Sequence, residues 1–341
     1  MNIPYRTRQH LKRAGILALA LLVALILVGI CWFLWLERFV VFTRDKGAVF
    51  DMTLTEEFPD AQPPALPQYP SDVSIYYNEG ENAINANREL LQLEGYYADT
   101  AALRKSVSTV LEQVKNLPKS TPVMLDVKNP KGAFFYSSSV DEHRDRYIDP
   151  VEMDGLIAYL KQNNVYAIAR LPALRNYYFG LSNTSNGLPV PKGGYLWADK
   201  DYCYWLNPTK QGTMAHLIQI VSELKGLGFD EVVFDEFRFP DTDKIAFSGN
   251  KTEAIANAAA TLVSTCSTNN FTVSFQSTKS DFPLPEGRCR LYLTGVDAAN
   301  VQDIVTATGI TEPATRIVFL TEVHDTRFEI CSVLRPLEAA H

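Results

Sequence analysis

The chain has 341 residues, with 32 Lys and Arg against 39 Asp and Glu, a formal net charge of −7 and 46% apolar residues. A chain of net negative charge, without a basic stripe interleaved with aromatics, repels phosphate backbones and excludes a nucleic-acid partner. The apolar share is ample for a packed core, and the roughly 250 residues after Glu89 match the size of one α/β barrel.

Residues 1–13 carry Arg6, Arg8, Lys12 and Arg13 and no acid, which reads as a basic cytoplasmic tail. Residues 14–36 contain no charge, and about 20 apolar residues suffice to span a hydrocarbon core. A cleavable signal peptide would have a shorter apolar region followed by small residues, whereas this run ends in CWFLWLERF with Trp32 and Trp35 at the expected interface. The expectation is a single-pass signal anchor with the C-terminal part outside the membrane, although Arg38, Arg44 and Lys46 weaken the charge asymmetry. Residues 37–71 lose periodicity and gather prolines at 59, 63, 64, 67 and 70, as a semi-extended stalk would. Residues 72–341 form the extracytoplasmic domain.

Within that domain a strand-helix rhythm is legible. Residues 91–99 read as a strand, 100–116 as an amphipathic helix and 121–129 as the next strand, whose apolar core runs into Asp126 and Lys128. A Ser-rich loop precedes a helix over 150–163, and the strand at 164–172 carries Arg170 near its end. A long connection follows, to about residue 207, bearing Tyr195, Trp197, Trp205 and five other Tyr, Phe and Trp residues. A connection this long is usually functional. Its aromatic faces suit sugar rings or pack the loop onto the scaffold, and the sequence leaves both open.

The stretch GFDEVVFDEFRFP, residues 228–240, sits between helical patterns over 214–225 and 252–266. Its apolar run of Val232, Val233 and Phe234 reads as a buried parallel strand that ends in Asp235, Glu236 and Arg238 before Pro240. Asp235 shares strand parity with Val233, so both face the barrel interior if either does; strict alternation sends Glu236 to the other side. Arg238, three residues on, stands close to Asp235, which suggests a paired site. Residues 271–277 alternate as a strand with Ser274 and Gln276 on one face. Strands are also read at 290–294 and 315–325, the latter ending in Glu322 and His324, with a helix over 297–306 between them. That makes about seven strands, and an eighth comes from either 72–77 or the EICSVL run near the C-terminus.

Outside the membrane run the cysteines are Cys203, Cys266, Cys289 and Cys331, which permit two disulfides or four free thiols. No GxSxG elbow, HExxH pair, phosphate loop or dinucleotide fingerprint occurs, and His143, His216 and His324 are scattered. No cofactor and no catalytic metal are expected.

GFDEVVFDEFRFP resembles the GFDEIQFDYVRFP-type signature of a family of glycoside hydrolase-like (β/α)₈ domains distantly related to the alpha-amylase-type clan. VMLDVKNPKG resembles the same family's VVIDVKDDxG segment, NNVYAIARLPAL its KGIYPIARI segment, and YLWADKDYCYWLNPTKQG its Trp, Asp and Pro stretch, in the same order across residues 91–277. The resemblance implies a TIM-type (β/α)₈ barrel, divergent or shortened in its last third, that acts on an envelope or extracellular polysaccharide. It places Asp126, Lys128, Arg170, Asp235 and Arg238 at the barrel mouth, with Asp235 at the strand-four nucleophile position. Glycoside hydrolysis generally uses two carboxyl groups. Where the family's VSADVFG segment has an Asp, this chain has Gln276, so the second carboxyl falls to Glu236, Glu322 or Asp126. Arg238, Arg170, Lys128, Gln276, Trp197, Trp205 and Tyr195 are then expected to bind sugar. The Gln276 departure favours an alternative, a catalytically silent glycan-binding barrel.

Overall fold

A computed structural model describes residues 89–118 and 120–337, the backbone of two strands near the N-terminus, and the single residues Leu25 and Val28. The chain divides into two compact units, Met1–Tyr77 and Asn78–His341. In the first, β1 (Val40–Thr43) and β2 (Gly47–Phe50) pair antiparallel with Val40 opposite Phe50 and Thr43 opposite Gly47. The expected stalk therefore contains a β-ladder where the sequence reads as unstructured; the β-branched Val40, Val41, Thr43 and Val49 suit a pleated backbone. Among the described residues no helix is long and apolar enough to cross a membrane. The expected anchor at 14–36 lies outside them apart from Leu25 and Val28, which are helical and exposed. The remaining stalk and residues 72–77 also lie outside.

The second unit is a closed barrel of eight parallel strands: β3 (Glu94–Ala98), β4 (Val123–Asp126), β5 (Ala167–Pro172), β6 (Glu231–Asp235), β7 (Thr272–Ser277), β8 (Leu291–Thr294), β9 (Ile317–Leu320) and β10 (Ser332–Pro336). β10 pairs with both β9 and β3, so the C-terminal run closes the barrel. The last third is complete rather than shortened.

Alternation sets the two faces of every strand. Met124, Ile168, Val233, Tyr292, Val318 and Leu334 pack together inside the barrel, while Val123, Leu125, Ala169, Val232, Phe234, Val273 and Phe275 pack against the outer helices. Those helices are α1 (Thr100–Lys105), α2 (Val107–Lys115), α3 (Pro150–Gln162), α5 (Gln211–Leu227), α6 (Lys251–Cys266), α7 (Val301–Thr308) and α8 (Pro313–Arg316); a short α4 (Tyr177–Ser182) lies in the long connection after β5. The single helix expected over 100–116 is broken at Ser106, whose extended backbone ends α1 and whose hydroxyl accepts from Thr109 N to cap α2. Gly228 ends α5 at φ +101, a left-handed turn in which an added Cβ would meet the Lys161 side chain at 2.7 Å.

The barrel's two ends differ in chemistry. At the amino end Glu231 and Arg290 are fully buried and ion-paired; Tyr166 donates to Glu231 Oε2 (2.8 Å), and Ser274 (2.5 Å) and Tyr292 (3.0 Å) donate to Oε1. Every polar atom there has a partner within the barrel, which is a structural plug. Asp235, on the same face four residues on, stands about 13 Å along the strand at the opposite end.

Candidate active site

The inward-facing positions at the carboxyl ends of β3 to β7 are Tyr97, Asp126, Arg170, Asp235 and Gln276. Each continues the parity of an inner-core residue, as Asp235 continues that of Val233. Arg170 ties the group together: its Nε donates to Asp126 Oδ1 at 2.6 Å, its Nη1 reaches Gln276 Oε1 at 3.4 Å, and its guanidinium lies 5.8 Å from the Tyr97 ring centroid. Asp126 is engaged on both oxygens, since Oδ2 accepts from the Thr100 amide and hydroxyl, each at 2.7 Å. This carboxylate is a positioning group for Arg170 and for the first turn of α1.

Asp235 has a different environment. Its Oδ1 accepts the Glu236 amide at 2.7 Å, and among the described residues no hydrogen bond reaches Oδ2. Burial pushes its carboxyl above the usual aspartate range; the Glu236 amide and Arg170 oppose that rise, while the charges of Glu236 and Asp126 add to it. Of the expected carboxyls, Asp235 is half-buried, close to like charge and, among the described residues, hydrogen-bonded on one oxygen only.

Glu236 does not follow strand alternation. Its φ of +48 is left-handed, so the chain turns directly after Asp235. Glu236 Oε2 then pairs with Arg238 Nη2 at 2.8 Å. Arg238 is thereby corrected: it is not the partner of Asp235 but a half-exposed cation on Glu236, with its guanidinium 5.0 Å from the Trp205 ring centroid. The cation nearest in effect to Asp235 is Arg170.

Other expected residues lie elsewhere. Lys128 is buried, donating from Nζ to the Pro172 carbonyl at 3.0 Å, and burial pulls its ammonium down to about 7 against the pull of Asp141. Trp205 is buried too, its indole N–H donating to Asp199 at 3.1 Å, where Arg175 also binds at 2.6 Å. Trp197 is half-buried against the cluster of Leu188, Trp205 and Ile245. These two rings pack the long connection onto the barrel; Tyr195 is exposed. Glu322 is exposed and lines a cavity of ≈ 240 Å³ with Tyr97, Asp99, Lys105, Pro336 and Leu337. The four outer cysteines are free.

Two mouth residues escaped the sequence reading. Tyr97, in EGYYAD, has a hydroxyl raised by burial, and next by the Glu322 charge, so it links Glu322 to the Arg170 group. Thr100 fixes Asp126. The signals were there: Tyr97 has the parity of Leu93, and Asp99 followed by Thr100 opens a helix.

A family model described as a "putative glycosyl hydrolase domain" matches residues 96–272. Among solved structures, the galactosidase domain of the alpha-galactosidase-sucrose kinase AgaSK is similar at a TM-score of 0.50 and 12% identity, covering 76% of this chain and 40% of that one. The alpha-galactosidase from Lactobacillus brevis is similar at 0.50 and 11%, covering 74% and 38%. A hypothetical protein from Ruminiclostridium thermocellum ATCC 27405 is similar at 0.45 and 20%, covering 53% and 96%. The chain thus spans about two fifths of the length of these two galactosidases, a likeness that shows a shared barrel fold. No curated protein matches the chain.

Proposed function

The chain belongs to that family of glycosyl hydrolase domains, and from this membership we propose that its barrel hydrolyses glycosidic bonds of an oligosaccharide or polysaccharide at the carboxyl ends of its strands. The observation that carries the reading is Asp235, a half-buried carboxyl with a raised proton affinity and, among the described residues, no hydrogen bond on Oδ2, placed at the mouth next to Glu236. Two carboxyl groups whose surroundings differ can divide acid and base work between them. In this reading Asp235 donates a proton to the leaving oxygen, and Glu236, paired with Arg238, is the second carboxyl, which stabilises positive charge on the sugar or activates water. This proposal exchanges the roles expected from sequence, because desolvation raises the proton affinity of Asp235, the residue at the nucleophile position. We place the protein at a cell surface, anchored through residues 14–36, with an envelope or extracellular glycan as substrate.

A second reading is favoured by one observation. Gln276 stands where a carboxylate would be expected and is held by Arg170 at 3.4 Å, an arrangement able to grip sugar hydroxyls without chemistry. The two readings separate on turnover. The full chain and its Glu236→Gln variant are incubated with a panel of α- and β-linked envelope and storage polysaccharides, and reducing ends are counted. Hydrolysis by the parent, lowered about 10²-fold or more in the variant, supports the enzyme. Saturable binding with no release from any polysaccharide leaves the silent barrel.

A further inference from the structure

A cavity of ≈ 420 Å³ lies between the connection after β5 and the connection after β6. It shares no lining residue with the Asp126, Arg170 and Asp235 group. The two connections are stitched together there, since Ala246 N donates to the Pro189 carbonyl at 2.7 Å, and residues 187, 189, 196 and 206 form isolated β-bridges within the first of them. A Cβ added to Gly187 would meet the Leu196 side chain at 2.5 Å, so the wall is closely built. The cavity is a formed feature of the fold, and its size falls in the range of small-ligand sites, roughly 300–1,000 Å³.

Its lining divides between two chemistries. Leu196 and Phe247 offer apolar surface, and Thr184, Ser185, Ser248 and Asn207 offer hydroxyl and amide groups. Among the described residues that line it there is no carboxylate, and Lys210 carries the one charge. Asn207 is the telling member. It is 8% exposed, its Oδ1 accepts from the Thr209 amide (3.0 Å) and hydroxyl (2.8 Å), and among the described residues no protein acceptor takes its Nδ2 hydrogens. That nitrogen is not a buried orphan: it is reachable by solvent, and so open to a ligand's acceptor.

We propose that this groove is a rim subsite for an oligosaccharide chain, resting on the reading of the barrel as glycan-acting. A sugar ring has an apolar C–H face and a periphery of hydroxyls, each both donor and acceptor, and the wall supplies the complement of both. The near absence of charge selects a neutral sugar. One apolar cluster links the groove wall to the mouth: Phe247 contacts Phe239 at 4.6 Å between ring centroids, both pack against the cluster of Leu188, Trp205 and Ile245, and the Arg238 that pairs with Glu236 lies 5.0 Å from the Trp205 ring centroid.

The test uses the full chain with two variants that leave the barrel mouth intact. Ser248→Trp, at an exposed lining position, fills the groove; Asn207→Asp keeps the acceptor for Thr209 and removes the free donor. Binding of a ladder of neutral gluco-, galacto- and chito-oligosaccharides from two to eight units is measured by calorimetry, beside Asp235→Asn. The expected result is that the longer oligosaccharides bind the parent and Asp235→Asn alike, and bind both groove variants at least about tenfold more weakly. Equal affinity in parent and groove variants, or no binding of any oligosaccharide to the parent, overturns the subsite. Hydrolysis with unchanged affinity in Ser248→Trp would remove the subsite and leave the hydrolase; loss of binding in that variant without hydrolysis by the parent would do the reverse. A preference for a uronic-acid oligosaccharide over its neutral counterpart would overturn the neutral class.

Discussion

Arg170 is the residue on which the mouth depends. It is largely buried, pairs with Asp126 at 2.6 Å and feels the charges of Asp235 and Asp99. Arg170→Met would leave Asp126 buried and unpaired, which costs about 2–4 kcal/mol for a pair that is mostly out of water. Urea unfolding of parent and variant measures this, and a cost near zero would mean that Asp126 is satisfied by Thr100 alone. Asp235 makes the opposite prediction. Its folded-state proton affinity is raised, so its contribution to stability is fully present below the ordinary aspartate range and is lost as pH rises through the raised value. Asp235→Asn keeps the acceptor for the Glu236 amide and removes that loss, so the variant should melt above the parent at neutral pH. In the proposed role of proton donor, Asp235 would also set the basic limb of the pH–rate profile: activity would fall as pH rises through its raised value. A profile that falls only on the acid side would return Asp235 to the nucleophile role.

At the scale of elements, the C-terminal end of β6 decides how the two carboxyls are displayed, and much of it was legible. The parity of Val233 and Asp235 in GFDEVVFDEFRFP placed Asp235 inward, and the structure has it there. The turn at Glu236 was not legible, because a left-handed φ of +48 at a Glu runs against local preference; in the structure it accompanies the pairing with Arg238 and the Asp235 hydrogen bond. Lys128 misled for a related reason: past the strand end parity no longer holds, and its ammonium turned to the Pro172 carbonyl. For Trp205 the residue type could not tell a sugar platform from a loop anchor, and the Asp199 bond makes it an anchor. Loops at this end are held by helices behind them. Glu223 of α5 accepts from Tyr136, Ser138 and Ser139, which fixes the connection after β4. Glu223→Ala should cost about 1–3 kcal/mol, the range for hydrogen bonds to a charged group, and should expose residues 136–139 to amide hydrogen exchange. Unchanged protection there would show that packing, not Glu223, holds the loop.

For the whole molecule, the barrel's two ends divide stability from function. Glu231 and Arg290 satisfy each other at the amino end, whereas at the carboxyl end Asp235 has a raised proton affinity and, among the described residues, an oxygen without a hydrogen bond. Such unspent polar capacity at a strand end is the mark of a site. The seven strands read from sequence and the choice left for the eighth were resolved by β10, because closure depends on which segment pairs with both edges, and that is a tertiary fact. Alternation and apolar runs carry no information about it. The central claim is that this barrel cleaves glycosidic bonds through Asp235, and the most direct measurement is the turnover number of parent and Asp235→Asn on the best-cleaved polysaccharide, alongside their melting temperatures. The account predicts a variant that melts higher yet turns over about 10²–10⁴-fold more slowly, the share expected from a general acid. A variant that cleaves at the parental rate would contradict it.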